Sequence, residues 1–256
     1  RDGPPATIRI ACTATRPAPD PDLRDDEVFE ADIRTNRPWV DGPGRTDLPP
    51  RLYDISWHVH LWQPNFIDIP GQNPISVSAD FNLGLHADFE DTVREGWRFP
   101  GRLLFVQQIG NSDTYWTAGF EYLDLDHIQM IPAGGFITRT ADAELHLYFP
   151  RPKLRVRTKR GESWDKWFYI AGEYRGRGWA IERSATGLDD VVTLSEYRLG
   201  VGWEWEPTRR DKDDDDSPKI SFFDVNWLFG RDLEYRSGIG NYRPHDTVMF
   251  RVGTRY

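Results

Sequence analysis

The chain has 256 residues, a formal net charge of −9 at pH 7 and 38% hydrophobic residues. No apolar run approaches the ~20 residues of a membrane-spanning helix, which excludes a helical membrane protein. The acidic balance, with no basic stripe to neutralise phosphates, argues against nucleic acid as a partner.

The first 51 residues are rich in proline, aspartate and arginine, and no hydrophobic period survives there. This composition predicts an extended Pro-rich arm or linker over residues 1–51, ahead of a β-domain over residues 52–256. Cys12 is the single cysteine, which excludes an internal disulfide bond. The start at Arg1 without an apolar leader is expected if an export signal has been removed.

Alternation of apolar and polar residues begins near residue 52. Between residues 75 and 88, seven apolar residues alternate with seven polar or small ones, and shorter stretches repeat the pattern along the rest of the chain. A period of two is typical of β-strands and far from any helical template. We predict ten strands, with twelve as the competing total, near residues 52–62, 74–88, 101–110, 114–124, 134–140, 143–157, 165–183, 189–206, 218–235 and 246–256.

Strand length and aromatic content favour a membrane barrel over a soluble β-sandwich, which alternates in the same way. Soluble strands usually have about 5–6 residues, whereas a tilted strand needs roughly 9–11 to cross a bilayer. The stretches 75–88 and 191–206 exceed that length, and aromatic residues lie near many strand ends. Rings at two levels suit the two interfaces of a membrane. The predicted fold is therefore an all-β antiparallel transmembrane β-barrel.

The predicted strand count assigns each turn to one side of the membrane. With ten strands, the turns near 63–73, 111–113, 140–142, 184–188 and 236–245 face outside, and those near 89–100, 125–133, 158–164 and 207–217 face the periplasm. The last of these contains Asp213, Asp214, Asp215 and Asp216. These carboxylates are candidate Ca²⁺ ligands, but their contiguous spacing favours a solvated acidic turn. No cofactor is predicted.

The final strand carries a second signal. Val248, Phe250, Val252 and the last residue, Tyr256, share one face of this strand. An amphipathic strand that ends on an aromatic residue resembles the C-terminal assembly signal of bacterial outer-membrane barrels, in which the last strand closes against the first. The resemblance implies a location in the bacterial outer membrane.

Several longer motifs resemble one family. They are Ile131-Pro-Ala-Gly-Gly-Phe136, Tyr148-Phe-Pro-Arg-Pro152, Trp167-Phe-Tyr-Ile-Ala-Gly-Glu-Tyr174, Gly178-Trp-Ala-Ile-Glu-Arg183, Asp190-Val-Val-Thr-Leu-Ser-Glu-Tyr-Arg198 and Phe229-Gly-Arg-Asp-Leu-Glu234. Together they are similar to an uncharacterised family of predicted outer-membrane β-barrel proteins of planctomycete-type bacteria. The similarity covers residues 52–256 and leaves out the N-terminal arm. It implies a barrel in the outer membrane and no assigned activity.

The polar face of the strands is predicted to line the barrel interior. Its charged and histidine residues are Asp54, His58, His60, Asp80, Glu121, Glu144, Glu196, Arg198, Asp224, Arg251 and Arg255. Small barrels fill their interior with side chains, and charges of both signs are expected to pair in hydrogen-bonded layers. A narrow polar pore is the alternative.

Ser78, His58 and Asp80 form a candidate catalytic set if the 63–73 turn closes symmetrically. Residues whose numbers sum to about 136 then face each other, so that His58 lies opposite Ser78 with Asp80 on the diagonal. Such a set could activate a nucleophile. A register slip of one residue destroys it, and an enzyme is not the expected function.

The sequence therefore predicts a structural or anchoring role in an envelope assembly. The expected partners are outer-membrane lipid and an envelope protein held by the arm or the loops, and a homo-oligomer stays open. The first alternative is a porin-like diffusion channel, and the second is a membrane-embedded hydrolase.

Overall fold

The computed structural model describes residues 7–14, 28–29, 48–49, 52–88, 93–125, 128–208 and 220–255. Within these residues the protein is all-β, apart from one 3₁₀ turn at Val93–Gly96. No helix in the described ranges is long and apolar enough to span a membrane. The strands are β1 Thr7–Ala14, β2 Val28–Phe29, β3 Tyr53–Ile67, β4 Ile75–Ala87, β5 Trp97–Arg98, β6 Gly101–Gln108, β7 Thr114–Tyr122, β8 Met130–Arg139, β9 Ala143–Phe149, β10 Lys153–Lys159, β11 Trp164–Glu182, β12 Asp189–Pro207, β13 Ile220–Tyr235 and β14 Thr247–Arg255.

One continuous sheet contains all of these strands. They are hydrogen-bonded in the order β1-β3-β4-β6-β7-β8-β9-β10-β11-β12-β13-β14-β2, and β5 pairs with β4. Seven strands form a closed barrel, because the end of β4 also pairs with β11 at Ala87 and Ala180. Five long strands lie outside this ring. The prediction of an all-β barrel is thus confirmed.

The antiparallel pairing puts the chain connections at two ends. β1 begins and β14 ends at one of them, which we call the terminal end; the connections 68–74, 109–113, 140–142 and 160–163 lie there, as do the end of β12 and the start of β13. The connections 150–152, 183–188 and 236–246 lie at the opposite end, as do the end of β4, the end of β7 and the start of β8.

Two strands differ from the prediction. The single strand predicted over 143–157 is the hairpin of β9 and β10, which separate at Pro150 and Pro152 because proline cannot donate a ladder hydrogen bond. The extra reversal moves every later turn to the other end of the sheet. Taken relative to the 63–73 turn, the predicted side of the membrane is therefore wrong for the turns near 158–164, 184–188, 207–217 and 236–245. β1 lies within the predicted arm and pairs along its length with β3. The remainder of the arm lies outside the described residues, except β2 and residues 48–49.

The two faces of the sheet differ sharply in polarity. One row of paired residues crosses five strands and is apolar; four of its members are 39–67% exposed, and the row reads Leu154, Ile170, Val201, Val225 and Phe250. The adjacent row points to the other face and reads Arg155, Tyr169, Gly202, Asp224 and Arg251. Successive residues of a strand alternate between faces, so the apolar side chains lie outside and the polar ones lie on the inner face.

Two apolar clusters stand on the inner side. Leu104, Val106, Ala133 and Tyr148 pack between β6, β8 and β9. At the opposite end, β11 extends past Ala171, where its pairing with β10 ends. This extension packs with the ends of β12 and β13, and together they bury Ile181, Val192, Leu233 and Tyr235. Tyr242 packs on this second cluster, and burial raises the pKa of its phenol to about 12. The opposite end therefore has a small core of its own.

Candidate functional site on the inner face

A buried carboxylate organises the middle of the inner face. Asp224 is fully buried on β13 and accepts hydrogen bonds from three side chains. Arg251 Nη2 lies 2.7 Å from Oδ2, Tyr169 Oη lies 2.5 Å from the same oxygen, and Asn226 Nδ2 lies 2.6 Å from Oδ1. Arg251 Nε adds a bond of 2.9 Å to Oδ1. The charge of Asp224 is thus compensated by a cation and by neutral donors of the protein itself.

Gly202 makes the Tyr169 contact geometrically feasible. Tyr169 is on β11 and Asp224 is on β13, so the ring must cross β12, and it does so over Gly202. A Cβ at Gly202 would lie 2.7 Å from Tyr169 Cζ and 2.6 Å from Asp224 Cβ. Any larger residue therefore displaces one of them. A glycine on the inner face here serves close packing rather than backbone freedom.

A second cluster lies nearer the terminal end and surrounds Glu204. This carboxylate on β12 is 1% exposed and contacts two cations of β10. Lys153 Nζ lies 3.3 Å from Oε1, and Arg155 Nε lies 2.6 Å from Oε2. Arg155 also reaches Glu206 at 2.7 Å and stacks on the ring of Trp167, 4.1 Å from its centroid. The side chains of β10 and β12 meet over β11, which ties three strands together.

A chain of alternating charges runs toward the opposite end. Arg198 Nη2 lies 2.6 Å from Glu196 Oε1, and Arg231 Nε lies 3.3 Å from the other oxygen of Glu196. Arg151 Nη2 lies 2.5 Å from Glu121, and its Nε lies 3.3 Å from Glu173. Each charged side chain in this row has neighbours of the opposite sign, which is the arrangement that buried ion pairs require.

The predicted catalytic set is not assembled. Facing residues of β3 and β4 have numbers that sum to 140, as in His60 and Asp80, so the predicted register is wrong. Trp62 lies opposite Ser78, whose hydroxyl is fully buried and has no hydrogen-bond partner among the described side chains. The error arises because β3 continues to Ile67 and moves the centre of the turn. His58 and Ser78 are therefore separated along the sheet.

Asp80 instead contacts three basic side chains of the neighbouring strands β3 and β6. Its Oδ1 lies 2.7 Å from His60 Nδ1 and 3.4 Å from His58 Nε2. Its Oδ2 accepts from Arg102 Nε at 2.8 Å. With two imidazoles and a guanidinium around one carboxylate, the cluster has the composition of a structural ion pair.

The remaining predicted residues have the following positions. Glu144 is buried and lies 3.5 Å from Arg155. The side chains of Asp54 and Arg255 and the acidic turn with Asp213, Asp214, Asp215 and Asp216 lie outside the described residues. Val248, Phe250 and Val252 are 55–67% exposed on the outer face of β14, whereas Tyr256 lies outside the described part. In that part, no group of three His, Cys, Asp or Glu side chains is arranged to hold a metal ion.

Sequence reasoning missed most of the inner cations. Lys153, Arg155 and Arg157 stand in a Pro-flanked stretch that was not read as a strand of its own. The alternation of these three with Leu154 and Val156 was the available signal.

Aromatic side chains form two groups on the outer face. Near the terminal end, Trp164 is 48% exposed, and Phe168 packs edge-on against Trp203 with centroids 5.5 Å apart. Toward the opposite end, four rings on β11, β12 and β13 are in successive contact, with centroids 4.7–5.7 Å apart: Tyr174, Tyr197, Phe229 and Trp227. The apolar row with Ile170, Val201 and Phe250 lies between these groups.

Comparison of the chain with family models, curated proteins and solved structures finds no match. The resemblance to a family of predicted outer-membrane barrels therefore stays a prediction. The features that bear on function are the exposed apolar face and the buried polar face of the sheet.

Proposed function

We propose that this protein is a transmembrane β-barrel of the bacterial outer membrane, with a structural or anchoring role and an inner face largely filled by paired side chains. The observation that carries the proposal is the inverted polarity of the sheet. Phe250, Leu147 and Val252 are 59–67% exposed, while Asp224 and Glu204 are at most 1% exposed. In water this arrangement exposes a large apolar surface to solvent, which is unfavourable; in lipid it is the expected one.

The height of the apolar band supports the same conclusion. Trp164 and Tyr174 mark its two aromatic levels on β11, ten residues apart. At a rise of about 3.3 Å per residue this is about 33 Å along the strand, or about 25 Å vertically at a tilt of ~40°. Outer-membrane barrels carry an apolar band of about 25 Å between two aromatic girdles.

A bilayer also requires a closed edge. In the described residues, β14 pairs with β13 along its length, but on its other side only Thr254 and Arg255 pair, with β2. β1 has eight residues, β14 has nine, and the two run in opposite directions between the same ends. Unpaired backbone groups cannot face hydrocarbon, so β1 closes against β14 in the membrane. The seven strands of the ring and the five outside it then make one wall of twelve long strands, with the single β4–β11 contact at Ala87 and Ala180 at its opposite end.

The filled inner face favours an anchor over a channel. Ion pairs join β10 to β12 through Glu204, and a hydrogen bond joins β11 to β13 through Asp224. A conducting lumen needs charged groups that face water, whereas these two carboxylates are buried among their partners. Partners of the envelope would then bind the arm or the connections, outside the barrel wall.

The membrane location is tested by Phe250→Arg, with Phe66→Arg as the matched control. Phe250 is 67% exposed in the middle of the band, and Phe66 is 59% exposed at its terminal edge. An arginine costs roughly 2–4 kcal/mol at the midplane of a bilayer and about 0–1 kcal/mol near the interface. We therefore expect Phe250→Arg alone to lower the free energy of unfolding, measured by urea titration in phospholipid vesicles.

Equal and small effects of the two substitutions would mean that the outer face meets water, and the membrane location would be rejected. Single-channel recording of the inserted protein tests the filled interior separately. We expect silence; discrete conductance steps would move the conclusion to a diffusion channel.

A further inference from the structure

A cleft at the terminal end lies apart from the inner face. It has a volume of about 500 Å³ between the β3–β4 connection and the β6–β7 hairpin. Five of its lining residues are carboxamides and one is an indole: Gln72, Asn73, Gln107, Gln108, Asn111 and Trp116. Among the residues that the structure describes, no charged side chain lines it. Its volume lies within the range of small-molecule sites, ~300–1,000 Å³.

The inner wall of the cleft is held rigid by its own hydrogen bonds. Trp116 Nε1 donates to Gln107 Oε1 at 2.7 Å, and Gln107 Nε2 donates to the backbone oxygen of Asn73 at 2.5 Å. Asn73 Nδ2 in turn donates to the backbone oxygen of Gln108 at 3.0 Å. The indole is therefore fixed in position before any ligand binds, which lowers the entropy cost of binding.

The outer wall offers free hydrogen-bonding groups. Gln72 and Asn111 are exposed, and neither side chain has a hydrogen bond within the described part of the chain. Each carboxamide presents two donor hydrogens and an acceptor oxygen a few ångströms apart. The cleft thus combines an immobile aromatic ring with adaptable neutral polar groups.

We propose that this cleft binds a short neutral oligosaccharide. Sugars present hydroxyl groups at the ring edge, each both donor and acceptor, and C–H groups on the ring face. The first match carboxamides, and the second matches the face of an indole. A charged ligand would find no counter-charge in the lining, and a purely apolar one would leave the carboxamides desolvated.

The test is isothermal titration calorimetry with chitotetraose and with maltotetraose, on the folded full chain in a micelle whose detergent carries no sugar. We expect saturable binding with a Kd of about 0.1–1 mM, typical of a small neutral ligand. Preference for chitotetraose indicates an N-acetylated glycan, and preference for maltotetraose a plain one.

Substitution localises the binding. The pair Gln72→Ala with Asn111→Ala should weaken it at least about tenfold, and Trp116→Phe should weaken it without unfolding the barrel. Gln129→Ala removes an exposed carboxamide at the opposite end and should leave the Kd unchanged. Trp164→Phe is the matched control for the indole.

If titration with either tetrasaccharide up to about 10 mM, ten times the weakest expected Kd, gives no saturable heat of binding, the proposal is overturned. Binding that persists unchanged in the double variant would overturn it as well. These outcomes are independent of the membrane location, because a chain that stays soluble without detergent can be titrated in buffer in the same way.

Discussion

The substitution Asp224→Asn tests whether the inner face is dry or hydrated, because the two cases predict different losses of stability. The change keeps the volume of the side chain but removes the negative charge that Arg251 contacts through Nε and Nη2. Arg251 is 19% exposed and Asp224 is fully buried, so solvent replaces the lost partner only in part. Breaking a buried ion pair by removing one partner costs about 3–5 kcal/mol. Because the amide oxygen still accepts from Tyr169, we expect about 3 kcal/mol.

The same strand provides a matched control. Asp232 also contacts an arginine, Arg243, at 2.7 Å, but the two side chains are 39% and 85% exposed. Asp232→Asn should therefore cost less than about 1 kcal/mol. Both variants are measured by urea unfolding of the inserted protein, with unchanged m-values as the check on a common transition.

A rescue variant identifies the source of the penalty. If the cost comes from an uncompensated guanidinium, Arg251→Met added to Asp224→Asn should recover part of it. If Asp224→Asn is as mild as Asp232→Asn, water reaches the inner face. The description of a filled interior would then be wrong, and a channel would become the better proposal.

Three further outcomes are expected. Gly202→Val should lower the free energy of unfolding by about 1–3 kcal/mol, because the added methyl groups overlap the ring of Tyr169; a neutral effect would show that the ring does not cross β12. The pKa of the Tyr242 phenol is about 12 in the folded protein, so the unfolded chain releases this proton first and the free energy of unfolding falls as the pH rises from 10 to 12. Tyr242→Phe should remove this fall. Identical pH profiles of stability for the variant and the wild type would refute the burial of Tyr242. Closure of β1 against β14 should allow a disulfide between Cys12 and a cysteine at an exposed position of β14 such as Val252, detected by a mobility shift of the monomer; cross-linked dimers alone would mean that the edge pairs with a second copy.

Much of the fold follows from alternation that is local to each strand. The inner-face positions of Glu121, Glu196 and Asp224 and the exposed positions of Val248 and Phe250 match the parity of the sequence. Alternation works here because each strand faces two different environments, and a step of one residue changes the environment completely.

Two errors show where a local pattern stops. The hairpin of β9 and β10 was read as one strand, because the residues on both sides of Pro150 and Pro152 continue a β-like composition. The strand β1 was not seen, because eight residues in a Pro-rich segment have no distinctive period unless their partner β3 is known. A strand of this length is stable only when paired, so its existence depends on residues more than forty positions away.

The sequence by itself determined which side chains share a face wherever a strand alternates, since that depends only on backbone geometry. The tertiary structure alone decided which of them meet. The contact of Tyr169 with Asp224 requires two strand pairings and a glycine between them. The cluster of Asp80 with His58, His60 and Arg102 requires a register that is set by the continuation of β3 five residues past its predicted end at residue 62. Such contacts depend on the relative shift of distant strands, and that shift is the joint result of every turn and bulge between them.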